Sequence, residues 1–338
     1  DLTFEVLLRV GDVIEEPQYR RFVADQLLRR GQGPADTVPC RGQPFCCITY
    51  ELYRRTGRDE FRESFIRESL QWAREAQFDS EGLLVHVGRD GRGALVDYLQ
   101  EYAGRMARTA YLLTSADGRK ATESPDVRPG QLFDYAVGQY RAYRSVLRDP
   151  ETGLWSQGRG WLPGDSRALS PGAWSRGHGW LMRGLVGVLE HVPDRSSWRR
   201  EAVALLRELA DTLAAVQSHQ GMWHQLLHRP LDESFPETSG TGMIAWALAV
   251  GVSKGWLARD VYEPVVCRAA GALCGCVDGD GVVYHGCVGP GPLRSEEGYL
   301  GVDGPPDEPH GIPGAMLGLI APALLRPRPE GSWDSLFD

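Results

Sequence analysis

No stretch of this 338-residue chain stays apolar over the ~18 or more residues that a membrane-spanning helix needs. The opening residues, Asp1-Leu-Thr-Phe-Glu-Val6, have neither a basic n-region nor a cleavage motif. The expected location is the cytoplasm, or outside the cell if a leader has been removed. A helical pattern starts almost at once, which leaves room for a preceding segment. Lysine is scarce: 35 of the 37 basic residues are arginine, and the net charge is −8. The arginines alternate with acids, as in Arg54-Arg55-Thr-Gly-Arg58-Asp59-Glu60. That pattern is a solvated helix face rather than a nucleic-acid stripe, so neither nucleic acid nor a membrane is an expected partner. The seven cysteines match neither zinc-ribbon nor CxxC redox spacing: Cys46 and Cys47 are adjacent, and Cys274 and Cys276 have one spacer. Buried thiols are the expectation, with no metal and no cofactor. There is no Walker A motif, no GxGxxG, no HExxH and no GxSxG, so phosphate-binding, metalloprotease and serine-hydrolase chemistry lack their usual anchors.

Strand signals are few as well. The best are short, at 82–87 and 281–285. Helical periodicity fills most of the rest. It predicts helices over 61–77, 97–113, 131–147, 180–191, 197–217, 241–253, 261–276 and 312–325. Gly/Pro-rich runs at 158–173 and 288–310 read as long loops of one domain spanning 1–338. The fold class is therefore all-α. Paired helices with long rim loops point to an α/α toroid rather than to a four-helix bundle or a tight superhelical array.

One turn is written four times: Asp79-Ser-Glu-Gly82, Asp149-Pro-Glu-Thr-Gly153, His219-Gln-Gly221 and Asp278-Gly-Asp-Gly281. Each follows a helix, and each glycine precedes a polar side chain by four residues: His86, Gln157, Gln225 and His285. A ring of helix hairpins would bring these turns to one rim.

The densest chemical segment is Trp174-Ser-Arg176-Gly-His178-Gly-Trp180, just ahead of an apolar helix. Indole faces stack on sugar rings, and a guanidinium fork matches a carboxylate. A loop packed by two buried tryptophans is the alternative. Asp97 opens an apolar helix, as a cap or as a rim acid. Asp36 stands in a similar place before another helix. If the two converge, one of the pair would keep a proton at neutral pH. His86 and His224 lie on copies of the repeated turn. Glu237-Thr-Ser-Gly-Thr241 is either a cap or part of a pocket wall.

Taken together, these residues resemble the unsaturated glycuronyl hydrolases, glycoside hydrolase families 88 and 105, and family 105 most closely. The resembling segments are Leu52–Gly57, Val96-Asp97-Tyr-Leu, Phe133–Gln139, Asp149–Trp155, Trp174–Trp180, Glu237–Thr241 and Gly311–Gly314, in family order. The resemblance implies a six-hairpin (α/α)6 barrel with a pocket at one end. It implies removal of a terminal 4,5-unsaturated uronic acid by hydration of its C4=C5 bond. By position, Asp97 matches the catalytic aspartate and His86 a pocket histidine. Trp174, Arg176 and Trp180 match the pocket arginine and its tryptophans, and Asp36 matches a second pocket acid. The chain departs from the family at Leu95 (tryptophan), His178 (asparagine) and Gln157 (histidine). Gln157, His178 and His224 are taken as substrate-binding positions with the others. An oligosaccharide is the expected ligand, and a monomer or homodimer the expected assembly. Two other readings stay open: a carbohydrate-binding barrel without turnover, and another (α/α)6 enzyme such as a sugar epimerase or an inverting glycosidase.

Overall fold

Two kinds of helix sort the chain into layers. α7 (Ser175–Leu189) is buried at every residue, and α9 (Thr238–Ser253) at all but its last. Helices apolar on all sides belong inside. α4 (Asp59–Glu75), α6 (Pro129–Leu147) and α8 (Ser197–Ala215) bury one stripe only and face outward on the other. The computed structural model describes residues 2–30, 47–88, 91–114, 127–161, 164–230 and 232–326. Within these residues the inner ring runs α1 (Leu2–Val13), α3 (Ile48–Thr56), α5 (Gly104–Thr114), α7, α9 and α12 (Gly311–Leu324). α12 packs on both α9 and α1, which closes the ring. The outer helices are α2 (Pro17–Arg30), α4, α6, α8 and α10 (Arg259–Cys274), and a short α11 (Glu296–Leu300) lies in a rim loop. This is an all-α, (α/α)6 arrangement. No helix among the described residues is long and apolar enough to cross a membrane.

The repeated turn sits where an outer helix hands the chain back to the inner ring. Gly82, Gly153, Gly221 and Gly281 all have φ between +77° and +94°, a region that strains any side chain. In three copies an aspartate caps the turn: Asp79 Oδ1, Asp149 Oδ1 and Asp278 Oδ1 each accept two backbone N–H groups. Of the two short-strand expectations, the first holds as β2. Strands β1 (Gln77–Phe78), β2 (Leu84–Gly88), β3 (Gly91–Leu95) and β4 (Gly158–Arg159) form one antiparallel sheet in that order. His86 stands opposite Gly93, and Leu95 opposite Gly158. Residues 281–285 make only an isolated bridge, Val277 to Val283, because no second strand lies alongside.

The expected helix at 180–191 begins five residues earlier, at Ser175. Arg176, His178 and Trp180 therefore stand on the first turns of an inner helix, not on a loop. The glycines between them serve close packing. A Cβ on Gly177 would come 3.0 Å from Val96 Cγ2, and one on Gly179 would come 2.9 Å from Met243 Cβ. The tightest approach is between α9 and α12, where a Cβ on Gly242 would lie 1.7 Å from the Gly314 carbonyl oxygen. Gly242→Ala must push two inner helices apart. We expect a loss of about 3 kcal/mol or more, at the upper end of overpacking costs, read from the urea midpoint. A wild-type midpoint would contradict this packing.

Candidate active site

The N-terminal ends of four inner segments meet at one rim. Strand β3 leads directly into Asp97, which opens the helical turn ahead of a π-helical stretch, Leu99–Ala103, and then α5. Such widened turns recur at functional sites. Arg176 stands at the start of α7, Ser239 at the start of α9, and Glu308 and His310 immediately before α12. Each helix start turns the positive end of its dipole toward the rim, and the first N–H groups of α9 and α12 are capped by Glu237 and Glu308. Where they converge, Arg176 and the helix dipoles face a buried acid that no arginine among the described residues pairs directly.

That acid is Asp97, 9% exposed, with an Oδ2 that has no hydrogen-bond partner among the described residues. Burial pushes its pKa up to about 6, against the opposing pull of Arg176, of its own backbone N–H and of His310. Asp97 can therefore hold or release a proton near neutrality. Glu101, one turn on, is also buried and has neither oxygen paired. Burial raises it well above the usual carboxylate range, and the charge of Asp97 adds to that.

Arg176 is 1% exposed and lies over the Trp174 ring, 4.6 Å from its centroid. Its Nη1 donates to the Cys287 carbonyl (2.6 Å), and at 3.4 Å to Ser239 Oγ and Glu308 Oε2. Its Nη2 has no partner among the described residues and lies beside Gly289. Glu308 also accepts from the His310 backbone N–H (2.7 Å) and pairs with His310 Nδ1 (2.9 Å). Burial would raise its pKa, but His310 and Arg176 outweigh burial and hold it below the ordinary value. The Trp180 ring meets His310 edge-on, with centroids 6.4 Å apart. Glu237 settles as the α9 cap: its carboxylate accepts from the Ser239 and Gly240 N–H groups, and also from the Cys287 N–H (3.1 Å).

Thus Asp97, Trp174, Arg176 and Trp180 come together, joined by Glu308 and His310. The sequence reading left those two inside a rim loop at 288–310. The signal was available in an acid and a histidine placed just ahead of the Gly311-Ile-Pro-Gly314 helix start. Other expected positions are occupied differently. His178 is 1% exposed: its Nε2 accepts the Trp155 N–H (3.0 Å), so its Nδ1–H donates to the Trp174 carbonyl (2.9 Å). Burial lowers its pKa to about 4, which keeps it neutral. Gln157 is also 1% exposed, with both ends of its amide bonded inside the protein. Gln225 is buried too, whereas His285 is exposed, so the four turn residues do not share one surface. His224 Nδ1 faces the Arg229 carbonyl (3.2 Å), and its buried Nε2 has no partner among the described residues. His86 has its backbone in β2; its side chain, like Asp36, lies outside the described residues.

A separate cavity of about 540 Å³ is lined by Tyr50, Arg54, Leu189, Glu190 and Trp256, among others. Leu189 ends α7, some 13 residues or ~20 Å from Arg176, so this cavity lies at the other end of the barrel. Among the described residues no cluster of His, Cys, Asp and Glu could hold a metal ion.

The architecture is that of the six-hairpin glycosidases. A glycoside hydrolase family 105 structure from Clostridium acetobutylicum ATCC 824 superposes with a TM-score of 0.76 at 20% identity, covering 95% of this chain and 91% of that one. The unsaturated glucuronyl hydrolase of Bacillus sp. GL1 superposes with a TM-score of 0.65 at 13% identity, covering 94% and 85%. The model of Glycosyl Hydrolase Family 88 matches residues 43–322, and the chain belongs to that family. An unsaturated 3S-rhamnoglycuronyl hydrolase from Formosa agariphila is 37% identical over 130 residues, which are 38% of this chain and 29% of the relative. Its namesake from Alteromonas sp. (strain LOR) is 28% identical over 184 residues, 54% of this chain and 43% of the relative. The chain thus spans less than half the length of these curated relatives.

Proposed function

We propose that this chain removes a terminal 4,5-unsaturated uronic acid from oligosaccharides left by a polysaccharide lyase, by hydrating the C4=C5 bond. The observation that carries the reading is a buried acid, Asp97, with a pKa near 6, set beside Arg176 and the converging helix starts. Their field draws in a uronate. Protonated Asp97 gives its proton to C4, and positive charge develops at C5. The resulting carboxylate takes a proton from the water that adds at C5. The hemiketal then opens and releases the neighbouring sugar. One carboxyl group suffices in both directions, whereas ordinary glycoside hydrolysis needs two flanking the anomeric centre. Trp180 and Trp174 build the wall around Asp97 and Arg176; Gln157 and His178 shape that wall from behind. The names of the two curated relatives support a uronide next to rhamnose as the first substrate to try.

The test follows the ultraviolet absorbance of the conjugated C4=C5 bond. Purified protein should abolish that absorbance in lyase-generated disaccharides. Because Asp97 must start protonated, kcat/KM should fall as pH rises through about 6. A bound uronate offsets the charge of Arg176, which now lowers the Asp97 pKa. The midpoint in kcat should therefore lie above that in kcat/KM. Activity that grows through pH 6 and beyond would remove Asp97 as the initial acid. Unchanged absorbance with every unsaturated uronide would remove the reaction.

A further inference from the structure

Gln157 is placed where three parts of the rim meet. Its backbone carbonyl accepts the N–H of Val96, the residue before Asp97 (3.0 Å). Its backbone N–H donates to the Gly172 carbonyl (3.2 Å), two residues before the Trp174 that starts α7. Its Nε2 donates to the Pro290 carbonyl (3.1 Å), and its Oε1 accepts the Tyr299 hydroxyl (2.5 Å). The same hydroxyl accepts the Leu293 N–H (3.2 Å). The segment 287–293 is thereby tied down at both Pro290 and Leu293. This is the strap whose Cys287 carbonyl holds Arg176 Nη1 and whose Gly289 lies against Nη2.

We propose that Gln157 is a positioning residue. It fastens the strap over Arg176 to the turn that carries Asp97, and so sets the gap in which the uronide ring must sit. The proposal rests on the hydration reading of this site. Nothing in the position requires Gln157 to touch the sugar: it is 1% exposed, and all its polar groups have partners inside the protein. Tyr299 is fully buried, packs beside Trp174 and Cys287, and its hydroxyl joins Gln157 to the strap, so the two side chains act as one device. Its ring is held by Gly172, where a Cβ would come 2.7 Å from the tyrosine.

The test compares wild type, Gln157→Met, Tyr299→Phe and the double variant. Gln157→Met keeps the side-chain length and removes both amide bonds. Each single variant should lose about tenfold or more in kcat, with KM unchanged within about twofold, because misplacing a reacting group acts on the chemical step. The loss should be the same for a methyl uronide and for a disaccharide. The double variant should lose no more than the worse single one. A KM effect that depends on the leaving sugar would make Gln157 a substrate contact and overturn the proposal. So would additive losses, or unchanged kcat in Gln157→Met. A readout independent of turnover keeps this separate from the reaction itself: hydrogen exchange at the Leu293 amide should quicken about tenfold in Gln157→Met. If wild type consumes no uronide, the hydration reading fails, and unchanged exchange at Leu293 would defeat the strap on its own.

Discussion

Asp97→Asn should abolish turnover of unsaturated uronides, with kcat falling by about 10³-fold or more, while the sugar still binds. General acid–base catalysis by a positioned side chain contributes about 10²–10⁴-fold, and here one group performs both transfers. Asparagine has nearly the same shape and hydrogen-bonding reach, so the wall of Trp174, Trp180 and Glu308 should stay in place. The substitution also removes a buried carboxyl whose Oδ2 has no partner, so folding should not suffer. Retention of both stability and binding is what separates a catalytic loss from a structural one. If the variant turned over at the wild-type rate, Asp97 would be a helix-start acid and nothing more.

The second large effect belongs to Arg176. Arg176→Lys should cost about 10²-fold in kcat/KM, because the shorter lysine does not bring its ammonium to the place of Nη1, which holds the Cys287 carbonyl, Ser239 and Glu308 together, and it gives up the guanidinium stacked on Trp174. Since lysine keeps the positive charge, the pH midpoint of kcat/KM should stay near that of wild type. Arg176→Met removes the charge that opposes burial at Asp97, so its midpoint should move to higher pH. Arg176→Met also takes from Glu308 its arginine partner, and lower thermal stability should accompany it. Identical pH profiles for the lysine and methionine variants would show that Arg176 exerts no field on Asp97.

Helices α4 to α10 and α12 were legible because apolar spacing is a local property of the chain, whereas α1, α2 and α3 were not delimited. The left-handed glycines were legible for the same reason: only glycine takes φ near +80° without strain. The resemblance at Trp174–Trp180 singled out a segment that lies at the rim but not its geometry. Sequence spacing could not show that α7 starts at Ser175, since Gly177 and Gly179 look like loop residues until Val96 and Met243 are packed against them. It could not show that Gln157 and His178 point inward, because that depends on Pro290, Tyr299 and Trp155 far along the chain. Glu308 and His310 were passed over for a related reason. Their meaning comes from Arg176, 132 residues away in the case of Glu308.

The measurement that bears most directly on the common site of Asp97 and Arg176 is a crystal of the Asp97→Asn variant soaked with an unsaturated disaccharide. The uronide ring should lie between residue 97 and the Arg176 side of the rim, with C4 within about 3.5 Å of the substituted side chain. Its carboxylate should face the starts of α7, α9 and α12. A sugar seated instead in the cavity beside Tyr50 and Trp256, or on the outer wall without touching residue 97, would contradict the account.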